Sequence, residues 1–165
     1  MSRYLYVFFA LLLVSGVLSI QCASSRTTGS PGAPEPVTVS PPTDPEETAV
    51  RNVLNDVELA MEQRDVYRVL AHVSASYRDK MGRDYTDLRR LLQRVFDHYA
   101  SIETARSGTE VTIDENRAAV TENFVTFARG KPGTNAAPFT LKGLTSMFLE
   151  KIAGRWLIVE WGESL

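Results

Sequence analysis

The sequence predicts an α+β domain in which three N-terminal helices pack on a curved antiparallel sheet of four to five strands. Three observations carry that expectation. Apolar residues recur at helical spacing from Asp44 to Tyr99, the period falls from 3.6 to 2 after Ser101, and the chain closes on two strand-like runs, Phe139–Lys151 and Arg155–Trp161, joined at Gly154. Helices followed by hairpin-linked strands segregate to two sides of one core, unlike alternating βαβ units.

The 165 residues fit one ordinary domain with an accessory segment before it. Residues 1–21 form that segment's first part. A single charge, Arg3, precedes an apolar or small run from Leu5 to Ile20, which is the form of a secretory signal. The competing reading is an uncleaved anchor, which needs about 20 apolar residues; the run is slightly short for that. Cys22 is the only cysteine and has no disulfide partner within the chain. Its position resembles that of the lipidated cysteine of bacterial lipoproteins. The match departs from the pattern at two places: Leu18 stands four residues before the cysteine rather than three, and Gln21 occupies the place of a small residue. An ordinary cut after Ser24 is the alternative, and it would leave a soluble periplasmic or secreted protein. Residues 22–43 are rich in Ser, Thr, Gly and Pro and carry only Val37 and Val39 as larger apolar side chains, too few to offset the entropy of ordering. They read as a tether, spanning on the order of 25 Å if flexible, and a membrane-attached Cys22 would give it a task at the cell envelope.

The ordered domain is expected over residues 44–165. Asp44-Pro45-Glu46-Glu47 supplies a capping acid, a proline at the first helical position and two acids in the first turn. Val50, Val53, Leu54, Val57 and Met61 then mark one apolar face through about Arg64. Asp65 starts a second helix through Val66, Val69, Leu70 and Val73, ending near Ser74 to Tyr77. A third, capped by Asp84 or Thr86, carries Leu88, Leu91, Leu92, Val95, Phe96 and Tyr99. Its far side bears Arg89, Arg90, Arg94 and Asp97, a charged face of the kind helices normally present to water. Strands are expected over Ile102–Arg106, Thr109–Ile113 and Arg117–Arg129, with a turn at Asp114-Glu115-Asn116 and a breaker at 130–135. In the last strand Trp156 and Ile158 should point one way and Leu157, Val159 and Trp161 the other. A half-covered sheet alternates apolar with polar, so the second face needs a cover: the sheet folding back on itself, or a second subunit in a homodimer.

This order of elements resembles the nuclear-transport-factor-2-like superfamily, also called cystatin-like α+β, which includes ketosteroid isomerases and SnoaL-like polyketide cyclases. The marks are the long first helix, the Ser74-Ala75-Ser76-Tyr77-Arg78-Asp79 segment and the terminal Gly154-Arg155-Trp156-Leu157-Ile158-Val159-Glu160 strand. The resemblance implies a cone whose mouth can hold a small apolar ligand, and dimerisation through the sheet. Fold alone does not fix function.

An isomerase or dehydratase of this type would use a desolvated base facing hydrogen-bond donors. The residues available for that role are Tyr77, Asp79 and Glu122; those for ligand binding are Tyr77, Tyr99, Glu122 and Asn123. Each has a plainer reading: Glu122 as a rim carboxylate in water, Tyr77 as a half-buried wedge with a wet hydroxyl, Asp79 as a turn cap. His72 and His98 read as boundary residues. With one cysteine they make no metal set, no cofactor motif is present, and a net charge of −2 gives no footprint for nucleic acid. The leading expectation is a non-catalytic, envelope-located binding or assembly domain that binds a small ligand or a protein partner; the alternative is a small proton-transfer enzyme of the isomerase, dehydratase or cyclase type using the cone cavity.

Overall fold

The computed structural model describes residues 44–163, so the expected leader, Cys22 and tether lie outside the described residues. Seven elements follow one another: α1 (Pro45–Gln63), α2 (Val66–Leu70), α3 (Tyr85–His98), β1 (Tyr99–Asp114), β2 (Arg117–Gly130), β3 (Phe139–Ile152) and β4 (Arg155–Glu163). The strands form one antiparallel sheet in the order β1-β2-β3-β4. No helix among the described residues is long and apolar enough to cross a membrane.

The start of α1 follows its local chemistry. The Asp44 carboxylate accepts from the Glu46 N–H at 2.8 Å, satisfying a backbone donor that the first turn leaves without a partner. Val50, Leu54, Val57 and Ala60 are buried along one face, where each larger side chain contributes roughly 1.5–3 kcal/mol of transfer free energy. Glu46 also reaches across the domain, accepting from Lys151 Nζ at 2.6 Å and Trp156 Nε1 at 2.9 Å. The hydrogen bond from Lys151, then that from Trp156, hold its carboxyl below its ordinary range.

Two expected helices end early. The second stops at Leu70, because residues 72–78 pair instead with the edge of β4: Ile158 N–H donates to His72 O at 2.8 Å, Ser74 N–H to Ile158 O at 2.9 Å and Arg78 N–H to Val159 O at 3.0 Å. The third stops at His98, and Tyr99 is already the first residue of β1, its ring edge-on to Phe139 at 5.1 Å.

The separate strands expected on either side of Ser107 are one strand with a β-bulge. Gly108 and Thr109 lie between the pairs Ser107↔Asn123 and Glu110↔Thr121, so two residues face the single Glu122. Gly108 takes φ +62°, which costs an L side chain energy and a glycine little. The bulge shifts the pleat by one, so that Ile102, Thr104 and Arg106 share the inner face with Val111 and Ile113 beyond it. A second register shift does the same in β4. Phe148 pairs with Glu160 while Leu149 pairs with Ile158, which leaves Val159 as the extra residue. Trp161, expected opposite Trp156 and Ile158, therefore joins them on the inner face and packs against the core.

The core lies between the helices and this inner face; Val50, Val69, Val120, Leu149 and Ile158 are its most completely buried large side chains. Both sheet edges are partly covered, which blunts uncontrolled strand pairing. The 72–78 segment covers β4. Along β1, Arg64 Nη1 donates to Tyr99 O at 3.2 Å, Thr104 N–H donates to Glu62 at 3.4 Å and Arg51 Nη2 donates to Thr109 O at 3.1 Å. The outer face keeps Phe127, Leu144, Phe148 and Ile152 exposed.

Replacing Leu149 by Ala should cost about 2–5 kcal/mol in urea denaturation. Leu144→Ala, on the outer face, should stay within about 0.5 kcal/mol.

Candidate functional site

Polar chemistry collects where the middle of α1 crosses the β1 bulge. Arg51, Leu54, Asn55 and Glu58 recur at helical spacing on one flank of α1, and with Arg106 and Thr109 of β1 they line a cleft of about 360 Å³. Arg106 is its centre. Its Nε and Nη2 donate to Glu58 Oε2 at 2.8 and 2.6 Å, Nη2 also donates to Asn55 Oδ1 at 2.8 Å, and Nη1 donates to Glu122 Oε2 at 3.1 Å. The Thr109 hydroxyl donates to the same Glu122 oxygen at 3.1 Å, a contact that exists because the bulge sets Thr109 opposite Glu122. Burial pulls the Arg106 guanidinium down, but its hydrogen bonds to Glu58 and the charges of Glu122 and Glu58 outweigh it, so its pKa is raised.

Glu122 is 2% exposed, which corrects its reading as a rim carboxylate. Its neighbours in sequence show why: Ala118 and Val120 precede it on the inner face of β2 and are equally buried, and a carboxylate in that row survives only with a cation beside it. Glu122 does not itself line the cleft; Arg106 and Thr109 stand at the wall.

The other residues singled out from the sequence lie elsewhere. Tyr77 is buried rather than half wet, and its hydroxyl donates to Trp161 O at 3.4 Å. Burial first, and the charge of Asp79 second, push that hydroxyl up to about 12. Asp79 does cap a turn, accepting from the N–H groups of Met81 and Arg83 at 2.9 Å each and from Arg83 Nε at 2.5 Å. Asn123 is exposed on the outer face, next in chain to the inward Glu122. Tyr77, Tyr99, Glu122 and Asn123 thus do not share one cavity.

Both histidines are placed by local contacts. His72 Nε2 meets Asp56 Oδ2 at 2.6 Å on the other flank of α1, where the hydrogen bond from Arg68, then that from His72, hold the Asp56 carboxyl down to about 2. His98 is exposed, with Nδ1 2.7 Å from Arg94 O. Among the described residues no group of three or more His, Cys, Asp or Glu is placed to hold a metal. A second depression, about 510 Å³ beside Phe127, Phe139 and the exposed Arg129–Glu103 pair, contains no buried ionisable group.

Sequence reasoning missed Arg51, Asn55, Glu58, Arg106 and Thr109. The usable signal was Arg106 itself: it alternates with Ile102 and Thr104, so a charge stands at a core-facing position of a strand and demands a buried partner.

No family model and no curated protein matches the chain. Solved structures do, at low identity. A candidate scytalone dehydratase of Novosphingobium aromaticivorans superposes with a TM-score of 0.63 at 13% identity, covering 73% of this chain and 85% of that one. A type 2 hexachlorocyclohexane dehydrochlorinase gives a TM-score of 0.60 at 10% identity over 70% and 82%. A candidate dehydratase of the NTF2-like family from Streptomyces avermitilis gives 0.58 at 12% over 73% and 97%. The chain has the NTF2-like, cystatin-like α+β fold.

Truncating Arg106 to Ala would strand two carboxylates, one of them buried, and should cost about 3–5 kcal/mol by chemical denaturation, whereas Glu122→Gln should cost much less. The Tyr77 hydroxyl is raised on folding from 10.0 to about 12, so its contribution to stability is complete below pH 10 and is lost as pH rises through about 12. In Tyr77→Phe that alkaline slope should flatten in pH-dependent melting curves.

Proposed function

We propose that this chain is an envelope-located binding domain rather than an enzyme, and that its ligand site is the cleft between α1 and β1. One observation carries the reading: the groups that acid–base chemistry would need are engaged in structural bonds in separate places. A general base needs a hydrogen-bond path to its substrate. Glu122 lies behind Arg106 and Thr109, and the Tyr77 hydroxyl is turned to the backbone of β4. The cleft walls are polar and charged with Leu54 beneath, so the ligand is polar in place of the apolar one expected from the sequence. Attachment through lipidated Cys22 and the tether belongs to the same proposal. A Cys22→Ser variant that is processed and membrane-retained like the parent would remove it. Pairing of two copies through the outer sheet face, over Leu144 and Phe148, is proposed as the cover for those exposed side chains; sedimentation of Phe148→Asp should show a monomer where the parent shows a dimer.

A second reading has support of a different kind. The names of the similar structures denote a dehydratase and a dehydrochlorinase, both eliminations, and they support a small proton-transfer enzyme, for which Glu122, Tyr77 and Asp79 are the residues we would propose. At such identities they speak to fold alone, and the binding reading rests on the placement of Glu122 and Tyr77.

The two readings separate in one experiment. The full chain is screened by thermal shift against a set of small polar metabolites, and any compound that raises the melting temperature is recovered and weighed by mass spectrometry. Recovery unchanged, with stabilisation lost in Arg51→Ala, is the expected result. A product lighter by water or acid, formed by the parent and not by Glu122→Gln, would establish the enzyme.

A further inference from the structure

We infer that the α1–β1 cleft takes a free α-amino acid, bound as its zwitterion. This rests on the reading of the cleft as a binding site and adds the ligand's charge pattern to it. Each polar side chain on the α1 wall is fixed by one part of its head group and leaves another part without a partner among the described residues. Arg51 is held through Nε and Nη2 by Glu47 and the Thr109 carbonyl, and its Nη1 is left over. Asn55 is held through Oδ1 by Arg106, leaving the Nδ2 donors. Glu58 is held through Oε2 by the same guanidinium, leaving Oε1 as an acceptor.

The order of these groups along the helix sets what they recognise. Arg51 and Asn55 are four residues apart and Asn55 and Glu58 three apart, so successive pairs are neighbours with Cβ atoms about 5–6 Å from each other. The first pair offers N–H donors, with the Arg51 charge shared with Glu47 at 2.7 Å, and several donors converging on one place suit a carboxylate. The second places a negative acceptor beside it, which suits an ammonium group. An α-amino acid carries both charges on adjacent atoms and fits the sequence donor, donor, acceptor read along α1. Leu54 lines the cleft but is 3% exposed, so the two charges of the ligand carry recognition and its side chain is free to vary. Because Glu47, Thr109 and Arg106 already fix the three head groups, little conformational freedom remains to be lost on binding. The same arrangement discriminates: a dicarboxylate would place its second charge against Glu58, and a simple amine would give the Arg51 Nη1 and Asn55 Nδ2 donors no acceptor.

The test uses the isotope-labelled full chain and three probes: L-leucine, N-acetyl-L-leucine, which lacks the ammonium, and L-leucinamide, which lacks the carboxylate. The readout is the Asn55 side-chain amide and the Thr109 backbone amide. L-leucine should shift both, and each blocked analogue should bind about tenfold more weakly or worse. Arg51→Ala should weaken L-leucine by a similar factor. Glu58→Gln, which keeps an oxygen for Arg106, should abolish the preference for L-leucine over N-acetyl-L-leucine; unchanged melting of each variant without ligand shows that its fold is kept. Equal binding of L-leucine and either blocked analogue overturns the inference. So does the absence of any L-leucine shift up to about 10 mM, an affinity weaker than millimolar. If in either case another polar compound from the thermal-shift set moves the same two amides, the cleft remains a binding site and only the ligand class fails. If none does, the binding reading fails with it.

Discussion

The inward charge of Arg106 is the constraint from which most of the arrangement follows. A guanidinium at a core-facing position of a strand must be matched, and two carboxylates and an amide from two directions match it. Glu58 and Asn55 fix how α1 lies across β1, and Glu122 with Thr109 fixes the register of β1 on β2 through the bulge. Were the bulge absent, Val111 and Ile113 would turn outward and the inner face would lose its apolar row beyond Arg106. One ionic cluster therefore couples helix placement, strand register and core composition, and the cleft is the space left where the helix flank diverges from the strand.

This dependence also explains why the fold was legible from the sequence and the site was not. Caps and periodicity are local, so Asp44-Pro45, the α1 stripe and the Gly154 hairpin marked their elements directly. The Ala153 and Gly154 pair, both at positive φ, is what a two-residue hairpin turn requires. Bulges are not local in the same sense. Gly108 could be read as a break between two strands, and only the partner strand shows that it is an extra residue within one. The Val159 shift left no glycine to signal it, and without it Trp161 is assigned to the wrong face. Glu122 alternates with Ala118 and Val120 along its strand, yet its burial depends on a cation sixteen positions away in sequence. Tyr77 was misjudged similarly, because its hydroxyl partner is a carbonyl of the last strand.

The comparisons and the geometry answer different questions. Similar backbones at 10–13% identity show the fold that this chain shares. The side chains of this chain show what the scaffold holds here: an interior row closed by an ion pair, and open hydrogen-bonding capacity displaced to a flank of α1.

The fastening of Glu46 has a mechanical meaning. The chain arrives at Asp44, and a helix pulled from its first residue would ordinarily unwind turn by turn, each hydrogen bond taking the tension alone. Here the second helical residue is tied to Lys151 and Trp156 near the β3–β4 hairpin, and the Lys151 N–H is bonded in turn to Asn116 O at the β1–β2 turn at 2.8 Å. The first turn of α1 is thus tied through side chains to both hairpins, so its fraying is coupled to the opening of contacts far along the chain.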